Sequence, residues 1–133
     1  MATSKTGGKA HNNWGTPPLF FDEYDELYDF NFDPCPLNHD ISKWDGLKVE
    51  WGTRTFVNPP YDRKTKEAFV KKAVLESKKG KLVVMLLPVS TSTKLFHDYI
   101  LPNISQPIRF VKGRLKFGNS NSSGTFDSMV VIF

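Results

Sequence analysis

The segment "KLVVMLLP", Lys81 to Pro88, constrains the fold more than any other stretch of the chain. Side chains of a strand alternate between the two faces of its sheet, so a run that is apolar at odd and even positions alike must be covered on both sides. Such a strand belongs in the centre of a layered α/β sheet, with helices packed on each face. The run is far too short to cross a bilayer. A chain of 133 residues that is 39% hydrophobic, with eleven Phe, four Tyr and three Trp, can bury one core and is too short for two. Residues 1–13, "MATSKTGGKAHNN", are small and polar without a period, which predicts a flexible arm ahead of a single domain over 14–133. They contain no apolar leader, so a soluble, cytoplasmic protein is expected.

Around the central strand the signals alternate. In "WGTPPLFFDEYDELYDF", Thr16 can cap a helix and Pro17 can take its first position, after which Phe20, Phe21, Tyr24, Leu27 and Tyr28 recur at helical spacing. Phe30 to Asp33 is a short strand candidate stopped by Pro34 and Pro36. "DGL" at Asp45 to Leu47 is a turn, and Val49 with Trp51 is either an edge strand or loop packing. "TRTFVN", Thr53 to Asn58, is a second strand. Lys64 to Lys79 reads as a helix with Phe69, Val70, Ala73 and Val74 on one side, Glu67 four residues before Lys71, and Gly80 as its stop. A further helix runs from a Thr93 cap to Pro102. Two strands follow, Ile108 to Phe117 and Ser128 to Phe133, separated by the loop "GNSNSSGTF". This order predicts a mainly parallel α/β sheet with an antiparallel C-terminal strand pair at one edge.

Ligands of such sheets sit beyond the carboxyl ends of the strands. Three strands here end in Asp33-Pro34, in Asn58-Pro59-Pro60-Tyr61 and in Pro88, so one rim should gather an acid and an Asn/Tyr pair stiffened by proline. The double proline removes two backbone donors and sets two φ angles, which makes a rigid corner. The Asn58 side chain and the following peptide offer two carbonyl acceptors, and Tyr61 offers an aromatic face. This set suits a planar group bearing an NH2: both N–H bonds are accepted, and as the nitrogen becomes tetrahedral its lone pair is turned towards an electrophile. A purely structural turn uses the same residue types.

The order of "WGTPPLF", "FDPCPLN", "DGL", "FVNPPY", "KLVVMLLPVSTST", "FHDYI", "RFVKGRLKF" and "SMVVIF" resembles the phage-type DNA N6-adenine methyltransferase family, a compact branch of the S-adenosylmethionine-dependent methyltransferases, over roughly residues 14–133. The resemblance implies a Rossmann-like sheet, S-adenosylmethionine as methyl donor and an extruded adenine of DNA as acceptor. It gives Asn58 and the Pro59 carbonyl to the adenine amine, the ring of Tyr61 to stacking, and Pro60 to rigidity. Trp14, Thr16 and Pro17 resemble the N-terminal donor-binding motif. Asp33, with Pro34 and Cys35, matches the acidic strand end near the methionine and ribose of the donor, and Asp45 is a further candidate on that side. Each has a plainer alternative: Thr16 as a helix cap, Asp33 as a turn acceptor, Asp45 as the start of a turn. Most methyltransferases carry a glycine-rich turn after the first strand. The turn here, "DPCPLNHD", has no glycine, and the phage-type family also lacks one.

A formal charge of +4 suits a polyanionic partner without demanding one. Arg63, Lys64 and Lys66 directly follow the corner, and Lys112, Arg114 and Lys116 alternate with Leu115 and Phe117, so these six are the candidate phosphate contacts. The single cysteine, Cys35, excludes an internal disulfide and is expected to be a small buried residue, and the three histidines show no zinc spacing. Two other functions fit the same residues. NPPY corners also serve methyltransferases of RNA bases and protein glutamine amides, and a basic nucleic-acid-binding protein can keep this fold without chemistry.

Overall fold

The computed structural model describes residues 15–36, 39–117 and 126–133. The expected arm over 1–13, Trp14 and most of the "GNSNSSGTF" loop lie outside the described residues.

Helix α1 spans Pro18–Tyr28 and ends at Asp29, which takes a left-handed conformation (φ 54°). Its N-cap is Pro17, with Pro18 in the first turn and no side-chain cap. The expected Thr16 cap and the expected placement of Pro17 are therefore each corrected by one residue. With a second proline at 18, the helix starts later, and Thr16 is released for another partner. Strand β1 (Arg54–Val57) leads through the double proline into helix α2 (Arg63–Ser77). Asp62 caps α2 by accepting the Thr65 N–H (3.0 Å). The chain leaves α2 through Gly80 at φ +89°, a left-handed position that favours glycine, as the sequence indicates.

Strand β2 (Leu82–Pro88) is the central apolar run, and its Val83 to Leu87 are buried. A π-helical turn, Leu95–Ile100, and a 3₁₀ turn, Leu101–Asn103, follow where one helix is expected. The Thr93 hydroxyl accepts the Phe96 N–H at its start (3.2 Å). Strands β3 (Arg109–Phe110) and β4 (Ser128–Ile132) complete the sheet in the order β1-β2-β4-β3.

β1 and β2 are parallel, whereas β2–β4 and β4–β3 are antiparallel, so the sheet is mixed rather than mainly parallel. The Phe30 to Asp33 candidate contributes only a parallel bridge between Phe32 and Thr55. Asn31 uses its side chain there, accepting the Arg54 N–H (3.0 Å) and donating to Thr53 Oγ1 (2.9 Å). The expected strand from Ile108 to Phe117 shrinks to two residues, because Gly113 at φ +77° turns the chain out of the ladder. The antiparallel C-terminal pair at one edge is present, with β3 outermost.

The alternation along β2 divides the core into two layers. Val83, Met85 and Leu87 pack with Phe69, Val70, Ala73 and Val74 of α2 and with Leu95, Phe96 and Ile100. Val84 and Leu86 face Tyr24, Phe30 and Phe56, with Phe20 and Phe21 beside them. Each such side chain contributes about 1.5–3 kcal/mol on burial, and cover on both faces is what an all-apolar strand requires. One buried charge interrupts this pattern. Glu76, 1% exposed, falls three residues after Ala73 on the inner stripe of α2 and accepts from Lys81 (2.6 Å), Lys72 and Lys79 (both 3.1 Å) and the Trp51 N–H (3.2 Å). Burial by itself would raise its carboxyl, but these four donors overcome that and bring it down to about 2. The node ties α2 to the start of β2 and to Trp51, whose ring stacks on Phe69 (6.4 Å). Trp51 is thus loop packing, not an edge strand. Glu67 pairs with Arg63 (3.3 Å) instead of Lys71, whose Nζ lies over the Tyr99 ring (4.9 Å).

Candidate active site

The parallel run of the Phe32 segment, β1 and β2 brings their carboxyl ends, Asp33, Asn58 and Pro88, to one side of the sheet. Asn58 follows β1 directly and is fully buried, and Pro59 is buried too. A buried side-chain amide must satisfy both ends, and here two hydroxyls do so. Asn58 Nδ2–H donates to Thr16 Oγ1 (3.0 Å), and Tyr61 O–H donates to Asn58 Oδ1 (2.6 Å). Tyr61 also approaches the Leu86 carbonyl (3.2 Å), one strand over. Burial raises the Tyr61 phenol above its ordinary pKa, so it stays protonated and acts as a donor. The double proline makes this possible by reversing the chain tightly enough for residue 61 to reach back to residue 58.

The Tyr61 ring is framed by Phe117 (6.1 Å) and Phe126 (5.4 Å), both near perpendicular to it, and these two rings meet each other at 5.7 Å. Nothing in the sequence paired these two phenylalanines with the corner, because they join it only through the hairpin-like approach of 111–117 to β4. Val111 N–H to the Ser128 carbonyl (3.0 Å) and Val89 N–H to the Asp127 carbonyl (2.9 Å) hold the two flanks at the rim.

At the Asp33 end of this rim, Asp33 Oδ1 accepts the Cys35 N–H (2.8 Å), and burial pushes its carboxyl up to about 7 against that hydrogen bond. Cys35 is buried, as expected. Asp45 Oδ1 accepts the Leu47 N–H (2.9 Å), the turn geometry of its plainer reading. Gly46 is needed for packing: a Cβ there would overlap the Pro34 carbonyl oxygen, so only glycine lets the 45–47 turn press against that loop. The Trp51 indole N–H donates to the Gly46 carbonyl (2.8 Å) and fixes the contact. Asp33, Pro34, Cys35 and Asp45 are thereby gathered at one place. A half-buried carboxyl at a strand end can accept hydrogen bonds from an ammonium or hydroxyl group.

A family model described as DNA N-6-adenine-methyltransferase (Dam) matches residues 3–132. The chain belongs to that family. No curated protein matches it. In this Dam-family chain the candidate cations take different positions. Arg63 and Lys64 are exposed at the start of α2, directly beyond the corner, and Lys66 is half-buried. Lys112, Arg114 and Lys116 are exposed while Val111, Leu115 and Phe117 are half-buried, so the alternation expected of a strand survives outside one. Arg114 is paired with Asp127 (3.2 Å). No helix among the described residues is long and apolar enough to cross a membrane.

Proposed function

We propose that this chain transfers a methyl group from S-adenosylmethionine to the exocyclic N6 of adenine in DNA. One observation carries the reading: a buried Asn58 amide, held at both ends by hydroxyls, at the rim of a Dam-family sheet. S-adenosylmethionine, when bound, supplies an electrophilic methyl group. Asn58 Oδ1 and the Pro59 carbonyl accept the two N–H bonds of the amine. A carbonyl oxygen has two lone pairs, so Oδ1 can take the amine while still holding the Tyr61 hydroxyl. Acceptance by both oxygens favours the tetrahedral nitrogen that transfer requires. Bound beside the corner, the donor would supply its methyl carbon to this nitrogen and keep the electron pair of the sulfur–methyl bond, and one amine proton would pass to water. Pro60 keeps the two acceptors aligned by fixing φ, and the Tyr61 ring, framed by Phe117 and Phe126, takes the face of the base.

Trp14 and Pro17, with Asp33, Pro34, Cys35 and Asp45, hold the donor in this proposal. Arg63, Lys64, Lys66, Lys112, Arg114 and Lys116 contact phosphates and offset the few kcal/mol needed to unstack a base. The test is digestion of DNA from expressing cells to nucleosides, with N6-methyladenine measured by mass spectrometry. The wild type is expected to raise N6-methyladenine above background and Asn58→Ala to abolish the rise while binding the donor nearly as well. Labelled methyl found in RNA or protein but not in DNA overturns the substrate assignment, and near-normal turnover by Asn58→Ala removes Asn58 from the chemistry.

A further inference from the structure

An asparagine amide is nearly symmetric in shape, and its two ends have opposite chemistry. Turned one way, Asn58 presents an acceptor to the substrate amine; turned the other way it presents N–H bonds that repel that amine. In the flip that presents Oδ1, the buried nitrogen end needs an acceptor of its own, and the corner "NPPY" has none there. The structure supplies one from 42 positions away in sequence: Asn58 Nδ2–H donates to Thr16 Oγ1 at 3.0 Å, with Thr16 6% exposed and Asn58 fully buried. Thr16 lies one residue ahead of the Pro17 N-cap, and α1 begins at Pro18. Gly15 precedes it at φ 61°, a left-handed turn that favours glycine and sets the entry of Thr16 into the core.

We propose that Thr16 is a positioning residue for methyl transfer: its hydroxyl anchors the nitrogen end of the Asn58 amide and so fixes the amide plane with Oδ1 towards the amine. This rests on the methyltransferase reading above and departs from the donor-contact role that the N-terminal motif suggests for Thr16. It makes the segment before α1 part of the acceptor geometry, tying it to β1 through one buried bond. A misplacement of about 1 Å in such a group costs on the order of 100-fold in rate, so the loss should appear in kcat.

Thr16→Val keeps the shape and removes the hydroxyl; Thr16→Ser keeps the hydroxyl. With tritiated S-adenosylmethionine and long unmethylated DNA, Thr16→Val is expected to lower kcat about 10- to 100-fold. Its donor Kd by calorimetry should stay within about threefold, and Thr16→Ser should recover most of the rate. A Thr16→Val donor Kd that weakens with kcat intact at saturating donor overturns the positioning role in favour of a donor contact. Unchanged kcat and Kd in a folded Thr16→Val also overturn it. Should Thr16→Val fail to fold, nuclear Overhauser contacts in the wild type decide. Contacts from the Asn58 side-chain N–H protons to the Thr16 methyl are expected, and contacts only to the Tyr61 ring mean the opposite flip and refute the assignment. An inactive wild type refutes the methyltransferase reading, and with it any role in transfer; an active wild type beside an unaffected Thr16→Val refutes the role of Thr16 alone.

Discussion

Tyr61 combines a hydroxyl that holds Asn58 with a ring proposed to hold the base, and two substitutions separate these roles. Tyr61→Phe removes a 2.6 Å hydrogen bond to Asn58 Oδ1 and the 3.2 Å approach to the Leu86 carbonyl. Without substrate Asn58 is fully buried, so water does not readily replace the lost donor. Leaving a buried acceptor short of a donor costs about 1–3 kcal/mol, or roughly 3–10 °C in Tm for a domain of this size. The ring and its contacts with Phe117 and Phe126 remain, and the nitrogen end of the amide stays on Thr16. Turnover is therefore expected to fall by no more than about tenfold, a loss of roughly 1.4 kcal/mol in transition-state stabilisation. Tyr61→Ala also removes the stacking surface, worth roughly 1–3 kcal/mol per base, and should lose a further 5- to 150-fold in kcat/KM. Steady-state methylation and thermal unfolding of both variants, measured side by side, make the comparison. If Tyr61→Phe is as inactive as Tyr61→Ala, the hydroxyl is needed for chemistry and the division is wrong. If Tyr61→Ala keeps wild-type kcat/KM, the ring does not hold the base.

Three further outcomes follow from charges near and far from the corner. The Asp33 carboxyl is raised from 3.8 to about 7 by burial, so its contribution to stability is present below pH 3.8 and is lost as pH rises to 7. Asp33→Asn should flatten that decline in donor-free thermal unfolding and weaken donor binding measured by calorimetry; unchanged donor binding removes Asp33 from the donor site. Glu76 shows the opposite sign: lowered from 4.5 to about 2, it contributes stability above pH 4.5 that disappears as pH falls through 2. Glu76→Gln should lose about 2–4 kcal/mol at pH 7 in urea unfolding, with the gap to wild type closing towards pH 2, and an equal gap at both pH values refutes the ion-pair origin. Asp127→Asn releases Arg114 from its 3.2 Å pair, so DNA binding should tighten at low salt and the slope of log K against log salt should steepen by up to about 1. An unchanged slope means Arg114 contacts no phosphate.

The corner was legible because its residues are contiguous. An Asn, two prolines and a Tyr at the end of a β-branched strand define a rigid reversal without reference to anything distant. The central strand, the α2 helix with its Gly80 stop and the burial of Cys35 were legible for the same local reason. Sheet direction was not. Whether β4 enters beside β2 antiparallel, and whether 111–117 stays in the ladder, depends on long-range pairing that no period encodes. Thr16 shows the limit at a single residue: "TPP" reads as a cap followed by a helix start, yet a second proline shifts the start by one position and frees the hydroxyl for Asn58. Glu76 left a signal that can be recognised, a charge on an apolar helical stripe with lysines at 72, 79 and 81.

By itself the sequence determined the kind of layers and the rigid corner, because strand alternation, helical spacing and the proline ring act over a few residues. Tertiary structure decided which distant groups complete that corner. Thr16 at one end of the Asn58 amide, the Leu86 carbonyl beside Tyr61, the Phe117 and Phe126 frame and the Gly46 contact with Pro34 are each brought in from another segment. The physical reason is that a buried polar group must find its partners wherever packing puts them, and the sheet order alone determines what lies within reach.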